Sequence, residues 1–178
     1  MKNVLIISSS LRKESNSEAL ANEFARGAAD AGNNVEVITL RGKEIHFCQG
    51  CLACQNTQKC VIKDDAPLIV GKMHDADVIV FASPIYYDEM SGQLKTLLDR
   101  ANPLYPSDYR FCDIYMLTSA AENEPSTPER AVNGLTGWID CFEKARLVAT
   151  VFAGGVNDPN EIQGHPALEK AYSLGKNV

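Results

Sequence analysis

The chain has 178 residues, 45% hydrophobic and 22% charged, with 8 prolines and 12 glycines; that fits one folded core and excludes two large domains or a disordered or collagenous chain. Acidic residues outnumber basic ones 23 to 17, for a formal net charge of -6, and no basic cluster exceeds a dipeptide, so nucleic acid is not expected as a partner. The apolar run Val4 to Ile7 is too short for a signal sequence or membrane span and lacks a small-residue cleavage site, so a cytoplasmic protein without membrane contact is expected.

Val4 to Ile7 reads as a strand buried on both faces, followed by a Ser-rich turn. Leu20, Phe24, Ala28 and Ala31 share one helical stripe, and Gly32-Asn33 supplies an αL stop. Val35 to Leu40 is a second strand, half-buried or at an edge, and a long irregular connection spans Arg41 to Asp64. Asp65 is expected to N-cap a short helix that opens on Ala66-Pro67 and runs toward Asp75. Val78 to Ala82 is a third strand, after which Ser83-Pro84 sends the chain out extended. Ser91 should cap a helix whose Leu94, Leu97, Leu98 and Ala101 stand at i, i+3, i+4 and i+7. Ile114 to Ser119 is a fourth strand, Pro128 to about Lys144 a helix and Leu147 to Ala153 a fifth strand. Pro166 to Leu174 is a last helix, with Gly175 as its stop. This alternation predicts an α/β fold over residues 1–178: a five-stranded parallel sheet in 2-1-3-4-5 order with helices on both faces, binding ligands beyond the carboxyl ends of its strands.

The first such loop, Ser8 to Ser17, leads into a helix N-terminus, where N–H groups, hydroxyls and the Arg12 guanidinium suit a phosphate. It matches neither the Walker A loop nor the dinucleotide G-x-G-x-x-G. The loop after the third strand, Ser83 to Ser91, lies beside it and offers Pro84, Ile85, Tyr86 and Tyr87 as a flat, partly aromatic surface for a planar heterocycle. Cradle and platform together point to a mononucleotide with a large ring.

Ser10-Leu11-Arg12 with Asn16-Ser17, then Ser83-Pro84-Ile85-Tyr86-Tyr87 and Met90-Ser91-Gly92-Gln93-Leu94-Lys95, resemble the two FMN-binding loops of the NAD(P)H-dependent FMN reductase family of flavodoxin-like proteins. The resemblance runs through Ala171-Tyr172-Ser173-Leu174-Gly175 and implies a flavodoxin-like three-layer sandwich. It implies that Ser10, Arg12, Asn16 and Ser17, with Ser9 and Ser15 in the same loop, hold the FMN phosphate, and that Pro84, Ile85, Tyr86 and Tyr87 contact the ring and ribityl chain. The loop after the fourth strand, Ser119-Ala120-Ala121, approaches the flavin from the far side in such proteins. Relatives often carry glycine there and at the position of Ser9. The implied activity is transfer of electrons from NAD(P)H through FMN to a small acceptor such as a flavin or quinone, with the flavin rather than any side chain carrying the chemistry. A homodimer or tetramer is implied too, with the cysteine loop and the segment near Tyr105 to Tyr109 completing a neighbour's pocket.

Cytoplasmic thiols stay reduced, so the six cysteines are not a disulfide framework. Cys48, Cys51, Cys54 and Cys60, spaced C-x2-C-x2-C-x5-C, crowd the long connection and resemble the compact motif that holds a [4Fe-4S] cluster in iron-sulfur flavoproteins. Cluster ligation, free thiols packing the loop, and zinc with His46 are the three readings. The first implies an electron carrier working with a ferredoxin-like partner; a non-catalytic FMN-binding redox sensor is the reading from another class. Cys112 and Cys141 are expected as small buried hydrophobes, and His74 and His165 as surface or helix-end residues.

Overall fold

The computed structural model describes residues 1–178. Five parallel strands form the sheet in the order β2-β1-β3-β5-β6: β1 (Asn3–Ser8), β2 (Asn34–Thr39), β3 (Val78–Tyr86), β5 (Asp113–Ser119) and β6 (Arg146–Ala153). A two-residue strand, β4 (Glu89–Met90), folds back on β3 as an antiparallel hairpin. With the hairpin set aside, the order is the one that the βαβ alternation predicts.

Side-chain alternation sorts the strand residues to two faces. Val4, Ile6, Val78, Val80, Tyr115 and Leu117 meet helices α1 (Asn16–Asp30) and α6 (Pro166–Lys176). Leu5, Ile7, Ile79, Phe81, Ile114 and Met116 meet α3 (Ala66–Asp75), α4 (Gly92–Arg100) and α5 (Glu129–Ile139). Burial on both sides is why β1, β3 and β5 read as continuous apolar runs. β2 keeps Asn34, Glu36 and Val37 exposed, as an edge strand does. No helix is long and apolar enough to cross a membrane.

Several element ends differ from the expected ones. Gly32, at φ +84, closes α1 as expected: its N–H donates to the Ala29 carbonyl and that of Asn33 to Ala28. Gly175 does not stop the last helix, which runs on to Lys176. It is a contact glycine, since a Cβ there would stand 2.1 Å from the Phe24 carbonyl oxygen, and one on Gly27 would stand 2.1 Å from that of Tyr172. α1 and α6 therefore cross backbone to backbone. Gly27→Ala is expected to cost about 3 kcal/mol, the upper end of ordinary overpacking, and to lower Tm by roughly 6–12 °C; an unchanged urea midpoint would refute this crossing. α5 ends at Ile139 rather than near Lys144 because the chain turns to insert Phe142 beside Trp138, with ring centroids 4.6 Å apart. Cys112 and Cys141 are exposed, against expectation, because they stand just outside the ends of β5 and α5. His165 caps α6, its Nδ1 accepting the Ala167 N–H at 3.1 Å.

Candidate functional site

The carboxyl ends of β1, β3, β5 and β6, with the loops that follow them, enclose an open cleft of about 140 Å3 at one rim of the sheet. The first contributes Ser10, Arg12, Ser15 and Asn16, the second Pro84, Ile85 and Tyr86, and the third Ser119, Ala120 and Ala121. Val156 and Asn157, from the loop after β6, complete the lining and were not foreseen. The signal for them in the sequence is Gly154-Gly155 directly after the strand.

Ser15 holds the N-cap position of α1 in extended conformation, φ -68 and ψ 139, yet its hydroxyl does not cap the helix. It meets the Ser17 hydroxyl at 3.1 Å instead. The first-turn N–H groups are thus left at the cleft wall without a side-chain acceptor, the condition under which a helix N-terminus holds an anion. Arg12 is drawn to the same corner, its guanidinium donating to the Asn157 carbonyl. The Asn16 side chain donates to the Asp158 carbonyl at 3.0 Å and accepts the Ile162 N–H at 3.2 Å, which fastens the β6 to α6 loop over the cleft.

Three of the expected residues stand off the cleft lining. Ser17 is fully buried behind Ser15. Ser9 donates to the Ala82 carbonyl at 3.1 Å and accepts from the Ser91 hydroxyl at 2.8 Å. Ser91 in turn caps α4 by accepting the Leu94 N–H, and its own N–H donates to the Ser83 hydroxyl. This chain of hydroxyls ties the first loop to the second. Tyr87 projects wholly into solvent from the two-residue hairpin turn, where it and Asp88 both take positive φ, +50 and +64, as a primed turn requires. β3 was expected to end at Ala82; it continues to Tyr86 because Ser83 and Pro84 still pair in register with Thr118 and Ser119 of β5. The third loop carries no glycine of its own, and Gly154 supplies the space from next door: a Cβ there would lie 2.5 Å from Asn123 Oδ1 and 2.8 Å from the Glu122 carbonyl oxygen.

The long connection holds a short helix, α2 (Ala53–Thr57), flanked by Leu52 and Gln58 at positive φ. Cys48, Cys51, Cys54 and Cys60 all line one cavity between this loop and the end of α4. No three His, Cys, Asp or Glu side chains gather around a single point; a cubane asks less, since each thiolate binds a different iron. The Asn102 amide donates to Cys54 Sγ at 3.2 Å. Both ends of the loop are stitched to one buried ion pair. Arg100 donates to both oxygens of Asp64, at 2.6 and 2.9 Å, and to the His46 carbonyl at 2.7 Å. Asp64 also accepts the N–H groups of His46 and Ala66, so it, and not Asp65, serves the start of α3. Burial pushes the Asp64 carboxyl up, but Arg100 and these two N–H groups outweigh it and hold the group below its ordinary 3.8. Sequence reasoning missed Arg100, whose signal is a cation three residues past Leu97 on an otherwise apolar stripe.

The model of the NADPH-dependent FMN reductase family matches residues 2–119. The chain belongs to this family. An iron-sulfur flavoprotein of Methanocaldococcus jannaschii is 43% identical over 174 residues, 98% of this chain and 86% of that one. An iron-sulfur flavoprotein of Methanosarcina thermophila is 36% identical over 95 residues, 53% of this chain and 50% of that one. Among solved structures, the NAD(P)H:quinone oxidoreductase from Methanothermobacter marburgensis has a TM-score of 0.77 at 19% identity, covering 99% of this chain and 95% of its own. The azoreductase from Bacillus anthracis str. Sterne has a TM-score of 0.74 at 16% identity, with each chain covered in full. These two likenesses are of fold. The protein is a flavoprotein oxidoreductase with the flavodoxin-like sandwich, and FMN is the cofactor its family membership supports.

Proposed function

We propose that the flavoprotein is an electron carrier that binds FMN in the rim cleft and a [4Fe-4S] cluster in the cysteine loop. The observation that carries this reading is that Cys48, Cys51, Cys54 and Cys60 all line one cavity, in a chain whose near full-length relative is named an iron-sulfur flavoprotein. When bound, the flavin accepts a hydride or single electrons, and the cluster exchanges electrons one at a time.

The chain's own residues do the rest. The uncapped first turn of α1, with Arg12 and the Ser10 hydroxyl, holds the phosphate end. Pro84, Ile85 and Tyr86 lie along the ring, and the small Ala120 and Ala121 let backbone donors approach it from the far side. Such donors stabilise negative charge on a reduced ring. The cleft encloses about 140 Å3, short of the roughly 300–1,000 Å3 of a complete ligand pocket. Its rim leaves Leu11, Tyr86 and Tyr87 exposed. We infer that a second copy covers the ring, in a homodimer or a tetramer built from dimers.

Tyr86, 52% exposed beside the cleft, favours a second reading in which a nicotinamide stacks at the open face and electrons leave directly to a small acceptor. Anaerobic purification separates the two. About four irons and four labile sulfides per chain beside a flavin spectrum, with slow NADH and NADPH oxidation, are expected. An iron-free yellow protein that turns over nicotinamide steadily would leave the reductase and remove the cluster.

A further inference from the structure

Arg100 has the largest side chain that is fully buried in the chain. Its Nη1 and Nη2 are spent on Asp64 and on the carbonyls of His46 and Ile62. Its Nε–H has no partner at all. Native interiors leave few buried donors unpaired, and each asks for an acceptor. Arg100 borders the cavity that the four cysteines line, and it is the only arginine to do so. Cys60 lines the cavity with it. Two residues on, past the end of α4, the Asn102 amide already donates to Cys54 Sγ at 3.2 Å. One short stretch of chain thus brings two side-chain donors to the thiol cavity. The guanidinium charge is matched by Asp64, whose side chain is as fully buried as its own; the one acid lining the cavity, Asp99, is paired with Lys95.

We propose that Arg100 Nε and Asn102 Nδ2 are hydrogen-bond donors to the sulfurs of a cluster held by Cys48, Cys51, Cys54 and Cys60, and that they raise its reduction potential. This rests on the cluster reading above and deepens it. The reduced cluster carries one more negative charge than the oxidised one. Donors aimed at its sulfurs therefore stabilise the reduced state more, which is how hydrogen bonding sets such potentials.

The test uses anaerobically purified full-length protein. Iron and labile sulfide are measured first; a protein without them overturns the cluster reading and this inference together. Protein grown on 15N-arginine is then reduced and studied by electron-nuclear double resonance. One arginine nitrogen coupled to the cluster spin is the expected result, and a loaded, paramagnetic cluster with no arginine coupling overturns the inference while leaving the cluster reading intact. Asn102→Leu and Arg100→Lys, the latter keeping the charge opposite Asp64, should each lower the reduced-to-oxidised ratio about tenfold at fixed potential, a shift of about 59 mV for a one-electron couple. Unchanged potentials in loaded variants overturn the inference. Should Arg100→Lys fail to load, the nitrogen coupling in the unsubstituted protein decides.

Discussion

Ser15→Asp should weaken FMN binding by about 100-fold or more while the protein stays folded. Aspartate is as good an N-cap as serine, and Ser15 already has the extended backbone of that position, so α1 keeps its start. The carboxylate, however, stands at the wall of the cleft where the phosphate is proposed to sit. Bringing like charges together in a partly buried site costs several kcal/mol, and about 3 kcal/mol is a hundredfold in affinity. Fluorescence quenching of FMN by titrated apoprotein measures the loss, and circular dichroism on the same sample reports the fold. Riboflavin, which lacks the phosphate, should lose far less affinity. Equal affinities of wild type and Ser15→Asp for FMN would place the phosphate elsewhere.

The second large effect is on stability. Asp64→Leu should cost about 3–5 kcal/mol, because it strands the Arg100 guanidinium in a dry site with its charge uncompensated, and it also removes the acceptor of two backbone N–H groups. Urea denaturation of the apoprotein reads the difference, and a loss below 1 kcal/mol would mean that the pair is not buried as described. Asp64 also sets part of the acid response. Its carboxyl is held below 3.8 in the folded state, so the unfolded chain takes up that proton first as pH falls. The stabilisation is fully present above about 3.8 and drains away below it. Asp77, lowered in the same way by the Asn3 N–H and Arg110 against its own burial, titrates in both wild type and an Asp64→Asn variant. The acid limb of stability against pH should therefore be shallower in the variant by the contribution of Asp64 alone.

Both effects trace to features of different legibility. Ser15 stands in a Ser-rich loop between an apolar run and a helical stripe, a purely local pattern, and the structure puts it in the cleft. The Arg100 and Asp64 pair joins positions 36 residues apart, and no local rule connects a helix-end cation to an acid beyond a cysteine run. Gly175 shows the same limit from the other side. A glycine at the end of a helical pattern reads as a stop because local conformational freedom is the common reason for it; only the crossing with α1 reveals that the missing side chain is what matters. Ser9 and Asn16 likewise carried the right loop but not the right partners, since the hydroxyl chain to Ser91 and the amide bridge to Asp158 and Ile162 cross between loops distant in sequence.

Periodicity determined the five strands of the parallel sheet and their alternation with helices, because burial on two faces leaves its mark on every residue of an element; it did not reach the polar extension of β3 to Tyr86 or the two-residue β4. The serine loop, the Pro-Ile-Tyr-Tyr run and the four cysteines were equally plain, since each is a short run of chemistry contiguous in the chain. What the tertiary structure decided is which of those groups meet: the fourth wall of the cleft at Val156 and Asn157, the Gly154 space for the third loop, and the buried guanidinium that closes the cysteine loop. Those are contacts between remote segments, fixed by how the layers pack, and packing is a property of pairs of residues that no single stretch of sequence contains.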